Sequence, residues 1–81
     1  MLLEGKSIIV TGGNSGIGES IVLAAAAEGA NVVIDYIANP EETEGLVSTV
    51  EKLGGRAVGV KADVSTLAGV QALVDAAVSS F

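Results

Sequence analysis

Short apolar runs alternate with longer amphipathic segments along the chain, and the alternation occurs three times. The apolar runs cover 7–11, 31–35 and 56–60, and we expect each of them to be a buried β-strand. A segment with helical periodicity follows each run. Strands that alternate with helices at this spacing form right-handed βαβ crossovers and a parallel sheet. The chain is therefore predicted to be α/β, with three parallel strands in the doubly wound order 3-2-1.

The predicted helices carry start and stop signals. The first runs from about Gly16 to Glu28, and Gly29 supplies its left-handed stop. The second has Asn39 as its N-cap, a first-turn proline and a capping-box acid, and it ends at 54–55. Either Ser65 or Thr66 caps the third. The positions expected to face the core are Ile17, Ile21, Ala24 and Ala25, then Leu46, Val47, Val50 and Leu53, and finally Val70, Leu73, Val74 and Ala77.

Composition limits the class of protein further. The 81 residues are 49% hydrophobic with a net charge of −6, which suits one small folded domain rather than a disordered chain. Four basic residues in an acidic chain argue against nucleic-acid binding. The chain has no cysteine and no histidine, so it lacks the commonest metal ligands and the commonest general base. With no membrane-length apolar run and no signal peptide expected, we predict a cytoplasmic protein.

The segment 11–18, Thr-Gly-Gly-Asn-Ser-Gly-Ile-Gly, joins the first predicted strand to the first predicted helix. Glycines allow a sharp turn and a close approach of a ligand, because no Cβ stands in the way. The helix that follows directs unpaired N–H groups and the positive end of its dipole toward the turn. This arrangement predicts a phosphate-binding loop for a nucleotide cofactor.

Spacing distinguishes among the known phosphate-loop patterns. The pattern G-x-G-x-x-G does not occur in the chain. The triphosphate loop G-x-x-x-x-G-K-[ST] fails because Glu19 stands where a lysine is needed. The glycines also disfavour a flavodoxin-like or receiver-type domain. The pattern T-G-x-x-x-G-[IL]-G remains, and Thr11, Gly12, Gly16 and the pair 17–18 match it fully.

With this signature, and with Asp63-Val64 after the third strand, the chain resembles the short-chain dehydrogenase/reductase family over its whole length. It is most similar to glucose-dehydrogenase-like and 3-oxoacyl-acyl-carrier-protein-reductase-like members. The resemblance implies that Asp63 accepts a hydrogen bond from the adenine amine and that Val64 forms an apolar wall, although Asp63 could instead cap the next helix. The other cofactor-binding residues that it implies are Gly12, Asn14, Ser15, Gly16, Ile17 and Gly18. Among these, Ser15 could equally be a helix N-cap, and Thr11 is expected to be structural.

The end of the second strand determines the choice of cofactor. A carboxylate there accepts both ribose hydroxyls and repels a 2′-phosphate, which favours NAD. Asp35 is an acid in this neighbourhood, but the acid of the family aligns with Tyr36, and side-chain alternation would point Asp35 to the other side of the strand. Neither Ser15 nor Ile37 is the cation typical of NADP-preferring members. NAD is therefore the predicted cofactor and NADP the second choice, with Asp35, Tyr36 and Ile37 near its ribose.

The catalytic signature of the family is missing from this sequence. The resemblance implies a Tyr-x-x-x-Lys pair that works on a carbonyl or alcohol substrate, but Tyr36 is followed four residues later by Pro40. We therefore expect residues 1–81 to be an NAD(P)-binding half-domain of a longer, commonly tetrameric oxidoreductase, truncated before its fourth strand, with no catalytic residue of its own. Such a chain would be marginally stable and would bind cofactor weakly. A non-catalytic dinucleotide-binding sensor is the alternative.

Overall fold

The computed structural model describes residues 3–12 and 16–81, and all six predicted elements lie in these ranges. Each boundary falls within about two residues of its predicted position. The elements in chain order are β1 (Ser7–Val10), α1 (Gly16–Ala27), β2 (Asn31–Tyr36), α2 (Pro40–Lys52), β3 (Arg56–Lys61) and α3 (Leu67–Ser80).

The three strands form one parallel sheet with β2 in the centre, as predicted. Val33 of β2 aligns with Ile9 of β1 on one side and with Val58 of β3 on the other. Helices α1 and α2 pack with Val32 and Ile34 of β2 on one face of the sheet. Helix α3 packs with Val33 on the opposite face. The central strand is therefore covered on both sides, which explains its uninterrupted apolar sequence.

The buried face of α1 differs from the prediction at three of the four positions, and Ala25 is buried as predicted. Ile17 is 81% exposed, Ile21 is 50% exposed, and Ala24 also lies on the surface. The buried positions are Gly18, Val22, Ala25 and Ala26. Because α1 is apolar around most of its circumference, its spacing fits two overlapping faces, and the smaller residues pack against the sheet.

The stripes predicted for the other two helices are partly confirmed. Leu46 and Val50 of α2 are buried, but Leu53 is 55% exposed because it follows the last helical residue. In α3 the buried side is centred on Leu73 and includes the half-buried Ala77. Val70 and Val74 were predicted to face the core, but each is 43% exposed.

The turns follow the predicted glycine signals. Gly29 and Gly54 have φ values of 89° and 88°, the left-handed conformation that glycine adopts without strain. Asn39 does occupy the N-cap position of α2, but its side chain makes no capping hydrogen bond. Its backbone is left-handed, with φ 60° and ψ 59°, whereas a capping side chain normally requires an extended backbone.

Among the described residues, no helix combines the length and the apolar character needed to cross a bilayer.

Candidate functional site

A cleft of about 440 Å³ opens where the three parallel strands end. The residues that line it come from the end of β2 and from the turns that follow the three strands: Thr11, Gly12, Asp35, Tyr36, Ile37, Ala38, Asn39 and Val64. The carboxyl edge of a parallel sheet is the usual ligand-binding edge in open α/β folds. The cleft therefore brings together five of the predicted cofactor-binding residues: Gly12, Asp35, Tyr36, Ile37 and Val64.

The glycine-rich turn reaches the cleft through Gly12. This residue has a φ of 62°, so the turn needs a residue that tolerates the left-handed region directly after β1. The predicted contacts Asn14 and Ser15 lie outside the described residues. Gly16 and Ile17 are exposed in the first turn of α1 and are not among the described residues that line the cleft, while Gly18 is buried against the rest of the fold. The burial of Gly18 agrees with close packing of α1, and a contact of Gly16 or Ile17 with the cofactor stays a prediction.

Asp35 is the most unusual side chain of the cleft. Only 3% of it is exposed, and its Oδ1 atom has no hydrogen-bond partner in the part of the chain that the structure describes. Burial raises the pKa of the Asp35 carboxyl above its ordinary value; the Ala62 backbone N–H opposes this effect, and the negative charge of Asp63 adds to it. A buried acceptor without a donor is costly, so a ligand hydroxyl or amine hydrogen that reached this oxygen would relieve the cost.

Tyr36 points to the opposite face of the sheet from Asp35, as side-chain alternation predicted. Its ring lies near Gly59 of β3 and Thr43 of α2, since a Cβ built on Gly59 would lie 3.4 Å from Tyr36 Cε1 and 2.7 Å from Thr43 Cγ2. Asp35 instead lies on the side of Ala62 and α3, two positions after Val33. Both residues nevertheless contribute to the wall of the same cleft.

The turn after β3 is held by a set of short hydrogen bonds around Asp63. The backbone N–H and the hydroxyl of Ser65 donate to Asp63 Oδ1, at 2.9 and 2.6 Å. These bonds lower the pKa of the Asp63 carboxyl, with the hydroxyl bond contributing most. Thr66 is the N-cap of α3, because its Oγ1 accepts from the Gly69 N–H at 3.0 Å. Asp63 thus shapes the turn before the helix, and Val64 faces the cleft.

Asp35 is the one charged residue among the described residues that line the cleft. None of its described lining residues is lysine or arginine. Arg56 lies at the amino end of β3, where it donates to the Ser80 carbonyl at 3.0 Å and stacks on the Phe81 ring. Lys61, at the carboxyl end of β3, is exposed and is not among the lining residues. A second anionic group on a ligand would meet the Asp35 carboxylate without a compensating cation in the described wall, whereas Asp63 is not among the described lining residues.

Sequence reasoning missed several contributors to this site. Thr11 was expected to be structural and Asn39 only a helix cap, yet both line the cleft together with Ala38. Ser65 was considered only as a cap, and its bonds to Asp63 were not anticipated. The Asp-x-Ser spacing at 63–65 is a recognised signal for a turn in which the aspartate accepts from the residue two positions later, and it could have revealed this role.

Comparisons with known proteins identify the class to which this fold and cleft belong. The family described as short chain dehydrogenase matches residues 6–81, so the chain belongs to that family. It is 42% identical over 79 residues to glucose 1-dehydrogenase 2 of Bacillus subtilis, covering 98% of this chain and 31% of that protein. It is 41% identical over 80 residues to L-rhamnose 1-dehydrogenase (NAD(P)(+)) of a Sphingomonas species, covering 99% of this chain and 32% of that protein.

Solved structures give the same result. A short-chain dehydrogenase/reductase from Serratia marcescens superposes with a TM-score of 0.92 at 41% identity, covering all of this chain and 33% of that one. A hydroxysteroid dehydrogenase from Escherichia coli gives a TM-score of 0.87 at 36% identity, covering 96% of this chain and 33% of that one.

These relatives define the chemistry of the family. They are named dehydrogenases and reductases, and the family consists of oxidoreductases that use NAD(P). The chain spans about a third of the length of the curated relatives that it matches. The oxidoreductase prediction is therefore favoured over the non-catalytic sensor.

Proposed function

We propose that this chain supplies the adenosine and diphosphate side of a nicotinamide dinucleotide site. The observation that carries the proposal is the meeting of Asp35, at the end of β2, with Gly12 and Val64, in the turns after β1 and β3, on one cleft at the carboxyl edge of the sheet. The chemistry of these residues fits the ligand. Gly12 allows a close approach of phosphate oxygens, and Asp35 has a buried oxygen suited to a ribose hydroxyl.

The remaining roles are those of the family pattern, and we propose them for this chain. Val64 provides an apolar surface for the adenine ring, and Asp63 accepts a hydrogen bond from the adenine amine. Tyr36 and Ile37 border the ribose. The glycine-rich turn, with Asn14, Ser15, Gly16 and Ile17, binds the diphosphate, and Gly18 lets α1 approach the sheet.

NAD is the cofactor that the cleft favours over NADP. A 2′-phosphate adds negative charge beside Asp35, and the described wall offers no lysine or arginine to neutralise it. The ribose 2′-hydroxyl of NAD, in contrast, is a donor for Asp35 Oδ1, the carboxylate oxygen that has no partner among the described residues. Asp35 lies one position before the acid of the family pattern. Its side chain would therefore bind the ribose from the face of β2 on which α3 packs.

The whole protein would be an oxidoreductase. When bound, the nicotinamide ring exchanges a hydride with the carbon of a carbonyl or alcohol substrate. The residues of this chain bind and orient the other end of the cofactor, and the sequence holds no Tyr-x-x-x-Lys pair to move a proton. We therefore expect the 81-residue chain alone to be inactive and to bind cofactor more weakly than micromolar. Tetramer formation and a cytoplasmic location stay predictions for the protein that contains it.

Titration of the isotopically labelled chain with NAD⁺ and NADP⁺, followed by two-dimensional amide NMR, tests the proposal. NAD⁺ should shift the amide signals of Gly12, Asp35, Ile37 and Val64, and NADP⁺ should shift them only at higher concentration. Changes confined to other parts of the chain would refute the proposed site. Equal or stronger binding of NADP⁺ would refute the cofactor preference.

A pair of matched variants assigns the preference to one carboxylate. Asp35→Asn keeps the shape of the side chain but removes its charge, so NAD⁺ should lose about fivefold in affinity and the discrimination against NADP⁺ should shrink. Asp75→Asn is the control, because Asp75 is exposed on α3 and pairs with Gln71 at 2.9 Å. The control should bind both dinucleotides as the unmodified chain does.

A further inference from the structure

The Asp63 carbonyl lies directly against the backbone of Gly69, in the first turn of α3. A Cβ built on Gly69 would lie 1.9 Å from the Asp63 carbonyl oxygen and 2.7 Å from its carbon. The same carbonyl oxygen accepts from the Thr66 N–H at 3.2 Å and from the Thr66 hydroxyl at 3.0 Å. The Thr66 hydroxyl oxygen in turn accepts from the Gly69 N–H. The turn that leads to Val64 is thus fixed to α3 at a point where only a hydrogen atom fits.

Space, and not backbone conformation, is what requires glycine at this position. Gly69 is not among the described glycines with positive φ, so alanine could adopt its backbone angles. Gly45 in α2 is also a helical glycine, but a Cβ there would meet nothing within 4 Å. Alanine normally stabilises a helix relative to glycine. Of these two positions, Gly45 should therefore tolerate replacement by alanine, and Gly69 should not.

We propose that Gly69 is a positioning residue for recognition of the adenine ring, acting through Asp63 and Val64. The inference rests on the proposed dinucleotide site. A methyl group at position 69 forces the Asp63 carbonyl outward by about 1.5 Å, because ordinary contact begins near 3.4 Å. The Asp63 side chain and Val64 belong to the same short turn, so both move relative to the cleft. Gly69 touches neither the cofactor nor the cleft.

The test compares Gly69→Ala with Gly45→Ala in the 81-residue chain. Each variant is titrated with NAD⁺ and with nicotinamide hypoxanthine dinucleotide, which has a carbonyl in place of the adenine amine, and amide NMR follows the binding. The unmodified chain should prefer NAD⁺ about fivefold, the value of one hydrogen bond. Gly69→Ala should bring this preference close to one, while Gly45→Ala should retain it. General damage to the fold would weaken both ligands equally and leave their ratio unchanged.

The outcomes separate the two proposals. Failure of the unmodified chain to bind NAD⁺ at the cleft would overturn the dinucleotide site itself. Binding with a preference that survives in Gly69→Ala, or an equal loss for both ligands, would overturn only the role of Gly69. If Gly69→Ala does not fold, Thr66→Val is the second variant to be tested. It removes the hydroxyl that links the Asp63 carbonyl to the Gly69 amide, and it adds no atom between that carbonyl and Gly69. A full preference for NAD⁺ in Thr66→Val would also overturn the inference.

Discussion

The buried carboxylate at the end of β2 should destabilise the chain when no ligand is bound. Asp35 is 3% exposed and its Oδ1 atom has no partner among the described residues. Burial raises the pKa of this carboxyl, so the folded chain binds the proton more tightly than the unfolded chain does. The contribution of Asp35 to stability therefore decreases as the pH rises from the ordinary value of 3.8 toward the raised value, and it stays lower above that.

Asp35→Asn should remove most of this cost. An unsatisfied buried polar group costs about 1–3 kcal/mol, and asparagine still buries an amide, so the net gain at neutral pH should be about 1 kcal/mol. For a domain of this size, that gain corresponds to an increase in Tm of about 4–8 °C. The gain should vanish below pH 3.8, where the aspartate is itself neutral. The same substitution weakens NAD⁺ binding, so stability and ligand affinity should change in opposite directions.

Urea unfolding of both chains, at neutral pH and below pH 3.8, measures this difference. Asp75→Asn, at an exposed position, should change the free energy of unfolding by less than about 0.5 kcal/mol at either pH. A destabilised Asp35→Asn chain at neutral pH would refute the reasoning. So would a gain that is the same at both pH values, because it would not arise from the charge.

Three further substitutions test other parts of the account. Ser65→Ala should return the pKa of Asp63 toward its ordinary value, because it removes the hydrogen bond that lowers this pKa most. Carboxyl-carbon NMR across the acidic range measures the pKa of Asp63, and an unchanged value in the variant would contradict the prediction. Val22→Ala should lower the free energy of unfolding by about 2 kcal/mol, whereas Ile17→Ala should change it by less than about 0.5 kcal/mol. Urea unfolding measures both values. A larger loss for Ile17→Ala than for Val22→Ala would show that Ile17, and not Val22, faces the core. Ile37→Arg should increase the affinity for NADP⁺ about tenfold, because it supplies a cation for the 2′-phosphate. Titration with NADP⁺ followed by amide NMR measures this change. An unchanged affinity would show that position 37 does not face the phosphate.

The order of elements and the sheet topology could be predicted because several local signals agree. Continuous apolar runs such as 32–34 indicate strands buried on both faces, and left-handed glycines such as Gly29 end the helices. The face of α1 could not be predicted in the same way. Where a helix is apolar on most sides, spacing alone does not show whether Ile17 or Val22 faces the sheet, and packing against the neighbouring elements decides it.

The candidate site was predictable in outline for a similar reason. Parallel strands place the residues after each strand at one edge, so Gly12, Asp35 and Val64 were expected to converge. The burial of Asp35, the bonds from Ser65 and the contact with Gly69 depend on how the turn after β3 packs on α3. These are tertiary relations, and the sequence pattern contains only the Asp-x-Ser signal for one of them.

The most direct test of the dinucleotide site is a set of intermolecular nuclear Overhauser effects between NAD⁺ and the labelled chain. The adenine and ribose protons should give cross-peaks to the Val64 methyl groups and to the Hα protons of Gly12. Cross-peaks from the same protons only to surfaces away from the carboxyl edge of the sheet would contradict the account.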